Sequence, residues 1–262
     1  MISITLPDGS IRAFAPGTTP MEVAKNISEG FARNVISASF EGTTIETSTP
    51  LTTDGSLILY TWNDAEGKKA FWHSTSHVMA QVLEEMFPGI QLTLGPAIAN
   101  GFYYDVDFGD QKITEADFKA IESRILEISK EKHEFKMRAV TKAEALETYK
   151  DNVYKTELIS NLEDGTITFC DHATFTDLCR GGHIPNTSII KAVKIMSVAG
   201  AYWRGDEKNK QLTRVYGTSF PKQKDLTEYL ELLEEAKRRD HRKLGKELEL
   251  FAFSQKVGQG LP

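Results

Sequence analysis

The sequence predicts an α+β protein with a small β-rich module, a larger mixed α/β region and a C-terminal helix. Three patterns predict this class. Short alternating segments separated by turns occupy residues 1–62, helix and strand patterns then follow one another, and a long charged helical pattern begins near residue 225. With 262 residues, 40% of them hydrophobic and 26% charged, the chain is long enough to hold more than one domain.

The first segment predicts a β-grasp module. Strands "ISITL" and "IRAF" flank "PDGS", which favours a hairpin. A short helix should follow, because Thr19 and Glu22 can form a capping box and Pro20 suits the first helical position. Gly30 should close that helix. Strands "VISASF" and "SLILYT" complete an order typical of small ubiquitin-like folds, and the absence of a His, Cys or acidic cluster predicts docking rather than chemistry here.

A long helix should come next, after the polar stretch "NDAEGKK". It should run to about Phe87, just before a Pro-Gly pair that stops it. When the helix is projected at about 100° per residue, its apolar side chains and Thr75 share one face. His73 and His77 fall roughly opposite, so the two imidazoles face either solvent or a cleft.

The region that follows mixes strands and helices. "GFYYDVDF" alternates as a strand does, which places Tyr103 and Tyr104 on opposite faces. "TEADFKAIESRILEISKEK" has the apolar spacing of an amphipathic helix. "ITFCDHATFTDLCRGGHIPN" contains both cysteines, and its Gly-Gly pair favours a loop. We therefore expect a mixed α/β domain over residues 63–224.

Composition narrows the class of protein. A net charge of -6, from 31 Lys and Arg against 37 Asp and Glu, argues against a uniformly basic nucleic-acid binder but allows a local basic patch. Two cysteines form no disulfide framework, which favours a reducing compartment. The start has no signal-peptide pattern, and the apolar run "SLILYTW" is too short to span a bilayer. We expect a cytoplasmic protein without membrane contact.

Four residues are candidates for chemistry. His73 and His77 are one helical turn apart, and "CRGGH" places Cys179 and His183 at the same separation. These side chains are a possible tetrahedral Zn²⁺ site, although the Cys-x-x-Cys knuckle of common structural zinc sites is absent. They are equally suited to hold waters and shuttle protons in a hydrolytic pocket. The third interpretation is a solvated helix face.

A basic run from Lys237 to Lys246 has six basic residues and one acid. Such a run is by default a solvated helix end, and in an RNA-binding protein it would contact phosphate. The candidate tRNA contacts are Lys237, Arg238, Arg239, Arg242 and Lys243.

Six motifs carry a family resemblance: "ITLPDGS", "HSTSH", "GPAIANGFYYD", "TDLCRGGH", "AGAYWRGDEKNKQLTRVYGT" and "AKRRDHRKLGKELELF". In this order they resemble the N-terminal part of bacterial threonyl-tRNA synthetases. The resemblance implies a TGS domain over 1–62, an editing domain over 63–224, and a helical linker into the class II catalytic domain over 225–262. That catalytic domain, with its ATP, Mg²⁺ and Zn²⁺, is expected to be absent, and the chain itself is expected to need no cofactor.

The resemblance implies hydrolysis of mischarged seryl-tRNA(Thr). Serine and threonine differ by one methyl group, worth only about 1–3 kcal/mol in a binding pocket, so a second, hydrolytic site is needed. His73 and Lys155 would position or polarise the attacking water. Asp177 would hold the seryl ammonium group, and Tyr103 or Tyr104 would stack on the terminal adenosine. The implied catalytic set is His73, His77, Lys155, Cys179 and His183.

Several alternatives stay open at this stage. Alanyl-tRNA synthetases bind zinc with a similar constellation, whereas the threonyl resemblance implies a metal-free site. Many family members have proline where this chain has Gly182, and glycine is expected to loosen that turn. A non-catalytic tRNA-binding module and a zinc-dependent hydrolase are the competing functions. The acceptor end of tRNA(Thr) is the expected partner, with a monomeric chain here and a homodimer for the full-length enzyme.

Overall fold

The computed structural model describes residues 1–239 and Leu244. The chain divides into two compact units, 1–221 and 222–262. Helices and three separate sheets confirm the predicted α+β class. Within the described part of the chain, no helix has both the length and the apolar character needed to cross a membrane. The predicted domain boundaries at residues 62 and 224 stay predictions.

The first sheet belongs to the β-grasp module. Its strands lie in the order β2-β1-β5-β3-β4, with β1 and β5 parallel and the other neighbours antiparallel. The elements are β1 Ile2–Thr5, β2 Ile11–Phe14, α1 Pro20–Ile27, α2 Glu29–Ala32, β3 Val35–Phe40, β4 Thr43–Ile45 and β5 Gly55–Thr61.

Helix α1 begins at the predicted residue, Pro20, and ends at Ile27, before the predicted end at Gly30. The capping box of Thr19 and Glu22 is present, with Pro20 at the start. Ser28 then interrupts the helix, because its hydroxyl accepts from the Phe31 N–H (3.0 Å) and begins α2. Gly30 therefore lies inside α2, and the prediction that it closes α1 is wrong. Strand β4 was missed because it is only three residues long.

The mixed α/β region contains two further antiparallel sheets. One has the order β12-β13-β8-β6 with β7 also pairing with β8, and the other has the order β11-β10-β9. The elements are α3 Ala65–Met86, β6 Gln91–Leu92, β7 Ala97–Ile98, β8 Gly101–Asp107, α4 Glu115–Lys130, β9 Lys136–Ala139, α5 Lys142–Thr148, α6 Val153–Ser160, β10 Thr168–His172, β11 Phe175–Leu178, β12 Ala192–Tyr202 and β13 Gln211–Phe220. Short 3₁₀ turns lie at Thr187–Ile189 and Trp203–Gly205.

Helix α3 is the central element and ends at Met86, beside the predicted Phe87. Nearly every side chain in its middle is buried, so the face opposite the apolar stripe points into the protein. Phe71 of α3 and Ile36 of β3 belong to one hydrophobic core. The β-grasp module and the mixed region therefore pack together within the unit 1–221, and α3 is held rigidly in place.

The unit 222–262 contains α7, which spans Gln223–Arg238. This helix confirms the start of the predicted C-terminal helix. The remainder of the predicted helix lies outside the described residues, and so do the candidate tRNA contacts Arg242 and Lys243.

Candidate active site

The helix and loop motifs converge on one sulfur atom. His73 and His77 come from α3, and Cys179 and His183 come from the loop after β11. The Cys179 Sγ lies 3.1 Å from His73 Nε2 and 3.3 Å from His183 Nε2. His77 Nε2 lies 3.3 Å from His73 Nε2. One donor atom from each side chain lies within 4.8 Å of the other three, so the structure brings together the residues that the two motifs single out.

Each of the three imidazoles directs its other nitrogen at an oxygen. His77 Nδ1 lies 2.8 Å from Asp177 Oδ2, and His183 Nδ1 lies 3.0 Å from Glu46 Oε1. His73 Nδ1 lies 3.4 Å from the Gly95 carbonyl oxygen. A carboxylate or carbonyl oxygen accepts a hydrogen bond, so these contacts favour the Nδ1–H form of each ring. The Nε2 lone pairs then face Cys179, and a proton or a cation is needed between them.

The pKa shifts within the cluster differ between the two residues on α3 and the two residues on the loop. Burial lowers the pKa of His73 and of His77, which keeps both rings neutral. Burial also opposes charge on Cys179, but the neighbouring histidines outweigh it and hold the thiol pKa well below its usual value. For His183, burial is outweighed by hydrogen bonds to Cys170, Cys179 and Glu46, which hold its pKa well above the usual value. Cys179 and His183 are therefore shifted toward their charged forms, and His73 and His77 toward their neutral forms.

Asp177 organises a buried network behind His77. Its Oδ2 accepts from the Tyr104 hydroxyl (2.6 Å) as well as from His77, and its Oδ1 pairs with the Lys155 ammonium group. Lys155 is 2% exposed, and burial lowers its pKa to about 7, whereas the ion pair favours the charged form. These contacts occupy Asp177 from three directions and fix the orientation of His77.

The cluster opens into a pocket of about 370 Å³. Its polar wall includes His73, His77, Asp177 and Cys179. The apolar part of the wall comes from α6, the loop before β7 and the end of β11, namely Leu94, Pro96, Leu158, Leu162 and Leu178. A pocket with a few convergent polar groups and perturbed pKa values is typical of a ligand site.

Two predicted catalytic residues lie behind this wall. Lys155 lines a separate cavity of about 290 Å³, which Glu84 also lines, and its ammonium group contacts Asp177 and Tyr104 of the main pocket wall. His183 is 0% exposed and stacks on Phe135, with ring centroids 5.2 Å apart. That Lys155 positions or polarises the attacking water stays a prediction. Lys155 and His183 support the residues that line the pocket.

The two tyrosines of β8 separate as the strand alternation predicts. Tyr104 lines the pocket, while Tyr103 packs under the Arg214 guanidinium, 3.8 Å from its ring centroid, and beside Tyr216. Tyr104 is buried, and a Cβ at Gly95 would come within 2.2 Å of its ring. The ring therefore has no open face for stacking on adenosine, and the geometry favours Tyr104 as a hydrogen-bond donor to Asp177.

Glu46, the acid directly after β4, has no motif around it that marks it in the sequence. It contacts His183 directly, so the β-grasp module contributes a side chain to the surroundings of the candidate site. Its carboxylate also accepts from the Gly182 N–H (2.9 Å). Gly182 has a φ of +89°, and this bond holds the turn that was expected to be loose. A proline has neither that φ nor the N–H.

Comparisons with known proteins identify both regions. Residues 2–61 match the TGS domain model, and residues 167–216 match the model described as the threonyl and alanyl tRNA synthetase second additional domain. The chain is 91% identical over all of its 262 residues to threonine–tRNA ligase of Flavobacterium johnsoniae. Over its whole length, the chain is therefore similar to part of a threonine–tRNA ligase.

Two further threonine–tRNA ligases match over the whole chain. Identity is 87% with the ligase of Flavobacterium psychrophilum and 57% with that of Cytophaga hutchinsonii. The chain spans about 40% of the length of these curated relatives. The match to the second additional domain includes Asp177, Cys179 and His183, whereas His73 and His77 precede it. The candidate site is therefore built from two parts of the chain.

The donor set fits a Zn²⁺ ion. Tetrahedral coordination with Zn–N of about 2.0–2.1 Å and Zn–S of about 2.3 Å separates the ligand atoms by about 3.3–3.6 Å. Three contacts among His73, His77, Cys179 and His183 are 3.1–3.3 Å, near this range, and all four donor atoms lie within 4.8 Å of one another. The oxygen partners on Nδ1 also match the outer contacts of metal-bound histidines. Metal-free chemistry at the site stays a prediction.

Proposed function

We propose that this chain hydrolyses the ester bond between serine and the 3′ end of tRNA(Thr). The observation that carries the proposal is the pocket of about 370 Å³, in which two imidazoles and a thiol face walls rich in leucine. Similarity to threonine–tRNA ligases supports the substrate class. In the whole ligase, the proposed activity would remove serine wrongly attached by a catalytic domain that uses ATP, Mg²⁺ and Zn²⁺.

Ester hydrolysis needs a base for water and support for the oxyanion. His73 is suited to be the base, because it lines the pocket and burial lowers its pKa, which keeps the ring neutral near pH 7. His77 is held by Asp177 with its Nε2 toward His73, so it can pass or store a proton. A Zn²⁺ ion held by side chains of this cluster would supply Lewis-acid activation of water if one coordination position stayed open to water.

A second site is needed because serine and threonine differ too little for one binding pocket to separate them. Losing one methyl group is worth about 1–3 kcal/mol, which is too little for a single synthetic site to reject serine. A hydrolytic pocket that admits seryl-tRNA and excludes the extra methyl group of threonine completes the selection. Sparing of Thr-tRNA(Thr) is therefore part of the proposal.

The proposed partner is the acceptor end of tRNA(Thr), and the proposed location is the cytoplasm. Two free cysteines, Cys170 and Cys179, agree with a reducing compartment. On α7, Lys237 and Arg239 are exposed and pair with Glu234 and Glu235 of the same helix. These basic groups, with Arg238, are the proposed phosphate contacts. We further propose that this chain is a monomer and the whole ligase a homodimer.

The test measures hydrolysis of Ser-tRNA(Thr) and Thr-tRNA(Thr) by the purified chain. We expect the first to be hydrolysed and the second to be spared. His73→Ala should lower kcat by about 10²- to 10⁴-fold, the range for loss of a general base. His133→Ala is the matched control, because that imidazole pairs with Glu131 away from the pocket. Equal rates for wild type and His73→Ala would refute the site assignment, and tRNA binding without hydrolysis would favour a binding module.

A zinc-dependent hydrolase is the second candidate function. The convergence of the Nε2 atoms on Cys179, with oxygen acceptors on each Nδ1, is the observation that favours it. Metal analysis of the purified chain separates the two candidates. Full hydrolysis by a metal-free chain would support the proposed metal-free chemistry. One tightly held zinc per chain, with hydrolysis lost on chelation and regained with Zn²⁺, would replace it.

A further inference from the structure

Glu46 connects the β-grasp module to the candidate active site. We propose that Glu46 is a positioning residue for that site, fixing both the Gly181–His183 loop and the ring of His183. The inference rests on the proposed hydrolytic function for its kinetic test and has a separate structural test. It assigns the N-terminal module a direct part in the geometry of the pocket.

The contacts of the Glu46 carboxylate are directed at one loop. Its Oε1 accepts from the Gly182 N–H (2.9 Å) and from His183 Nδ1 (3.0 Å), and its Oε2 accepts from the His183 N–H (3.2 Å). Glu46 is 9% exposed. Among the described residues, no lysine or arginine forms an ion pair with it. The loop and His183 therefore supply the groups that compensate this buried carboxylate.

The loop is shaped to meet the carboxylate. Gly181 and Gly182 have φ values of +98° and +89°, a region that favours glycine. A Cβ at Gly182 would come within 3.3 Å of Thr44 Cγ2, and one at Gly181 within 3.3 Å of Glu46 Oε1. Strand β4 and the residue after it thus pack closely against this turn. The backbone conformation that exposes the N–H groups is the one that Glu46 binds.

The orientation of His183 follows from these bonds. With Nδ1 held by Glu46, Nε2 points at Cys179 Sγ, 3.3 Å away. Because His183 does not line the pocket, it acts through Cys179, which does. The resulting series of contacts runs from Glu46 through His183 to Cys179. A change at Glu46 should therefore alter the reacting groups more than the surface that binds tRNA.

The kinetic test uses the full chain with Glu46→Ala, Glu46→Gln and the control Glu41→Gln. Glu41 is an exposed acid of the same module, and its carboxylate accepts from the Ser56 N–H instead of from the loop. Glu46→Ala should lower kcat for Ser-tRNA(Thr) about 10- to 100-fold with little change in KM, the size of effect known for outer partners of functional histidines. Glu46→Gln should regain part of kcat, because its amide oxygen still accepts. Glu41→Gln should keep the wild-type kcat.

A second measurement is independent of hydrolysis. ¹⁵N NMR of histidine-labelled chain at fixed pH should show a proton on His183 Nδ1 in wild type and in Glu46→Gln, and its loss in Glu46→Ala. An unchanged His183 spectrum in Glu46→Ala would overturn the inference. An equal fall in kcat for Glu41→Gln and Glu46→Ala would also overturn it, because general damage to the module would then explain both. If wild type hydrolyses no Ser-tRNA(Thr), the proposed function fails, while the spectrum still tests Glu46.

Discussion

His172 is a buried imidazole outside the cluster of His73, His77, Cys179 and His183. It is 2% exposed and lies between the rings of Phe135 and Phe175, with centroids 4.9 and 5.4 Å away. Neither of its ring nitrogens has a hydrogen-bond partner among the described residues. Burial lowers the pKa of His172 to about 3, so the ring stays neutral in the folded protein. His172 is the last residue of β10.

This burial predicts a pH-dependent stability. The unfolded chain protonates His172 below about pH 6.5, while the folded chain does so only near pH 3. The stabilising contribution is therefore present above pH 6.5 and is lost as the pH falls toward 3, by about 1.4 kcal/mol per pH unit. Urea unfolding between pH 7 and 4 should show a smaller loss for His172→Phe than for wild type. Parallel curves for the two proteins would contradict this assignment.

At the scale of elements, the loop after β11 matters as much as α3. The sequence places His73 and His77 on a helix, but only the loop brings Cys179 to within 3.1 Å of His73 Nε2. Gly182 makes this possible through its positive φ and its N–H bond to Glu46. The turn is therefore a fixed element of the site.

Gly182→Ala should lower hydrolysis of Ser-tRNA(Thr) beyond any effect on stability. A left-handed φ costs a non-glycine residue about 1–3 kcal/mol, and the new Cβ also presses on Thr44. Gly9→Ala is the matched control, because Gly9 has a φ of +81° with open space around it and lies in the turn between β1 and β2, outside the pocket lining. Both variants should stay folded at the assay temperature, Gly182→Ala should lose more stability in thermal unfolding because of the Thr44 contact, and only Gly182→Ala should lose kcat. Equal activity of the two variants would show that the turn does not position the site.

At the scale of the whole molecule, the negative net charge limits where tRNA could bind. The net charge of -6 is unfavourable for a polyanion, so any tRNA affinity has to come from local basic groups. The exposed Lys237 and Arg239 already pair with Glu234 and Glu235. A phosphate group would have to compete with these carboxylates for the two basic groups. Phosphate contacts of this kind release counterions and weaken with salt.

Binding of tRNA(Thr) should therefore fall as salt rises, with a slope set by the number of phosphate contacts. Arg238→Gln should reduce the slope of log K against log salt by about one unit if that residue contacts one phosphate. Lys150→Gln is a suitable control, since Lys150 is exposed on the mixed α/β region and pairs with Glu147. Equal slopes for wild type and Arg238→Gln, measured by filter binding, would remove Arg238 from the interface.

Much of the fold is predictable because it depends on local patterns. The capping box at Thr19, the end of α3 and the alternation of β8 all follow from interactions within a few residues, so sequence spacing reports them. Predictions fail where a short polar residue competes locally, as Ser28 does when it ends α1 and starts α2. Strand β4 carries too few residues to show a period.

The sequence by itself determined the α+β class and the helix that carries His73 and His77. It also identified Cys179 and His183 as candidate partners of these two histidines. Tertiary structure alone decided which of these side chains face the pocket. It placed Lys155 and His183 behind the wall and brought Glu46 across 137 positions to the His183 ring. Contacts at such separation depend on how the two modules pack, and no local pattern encodes that arrangement.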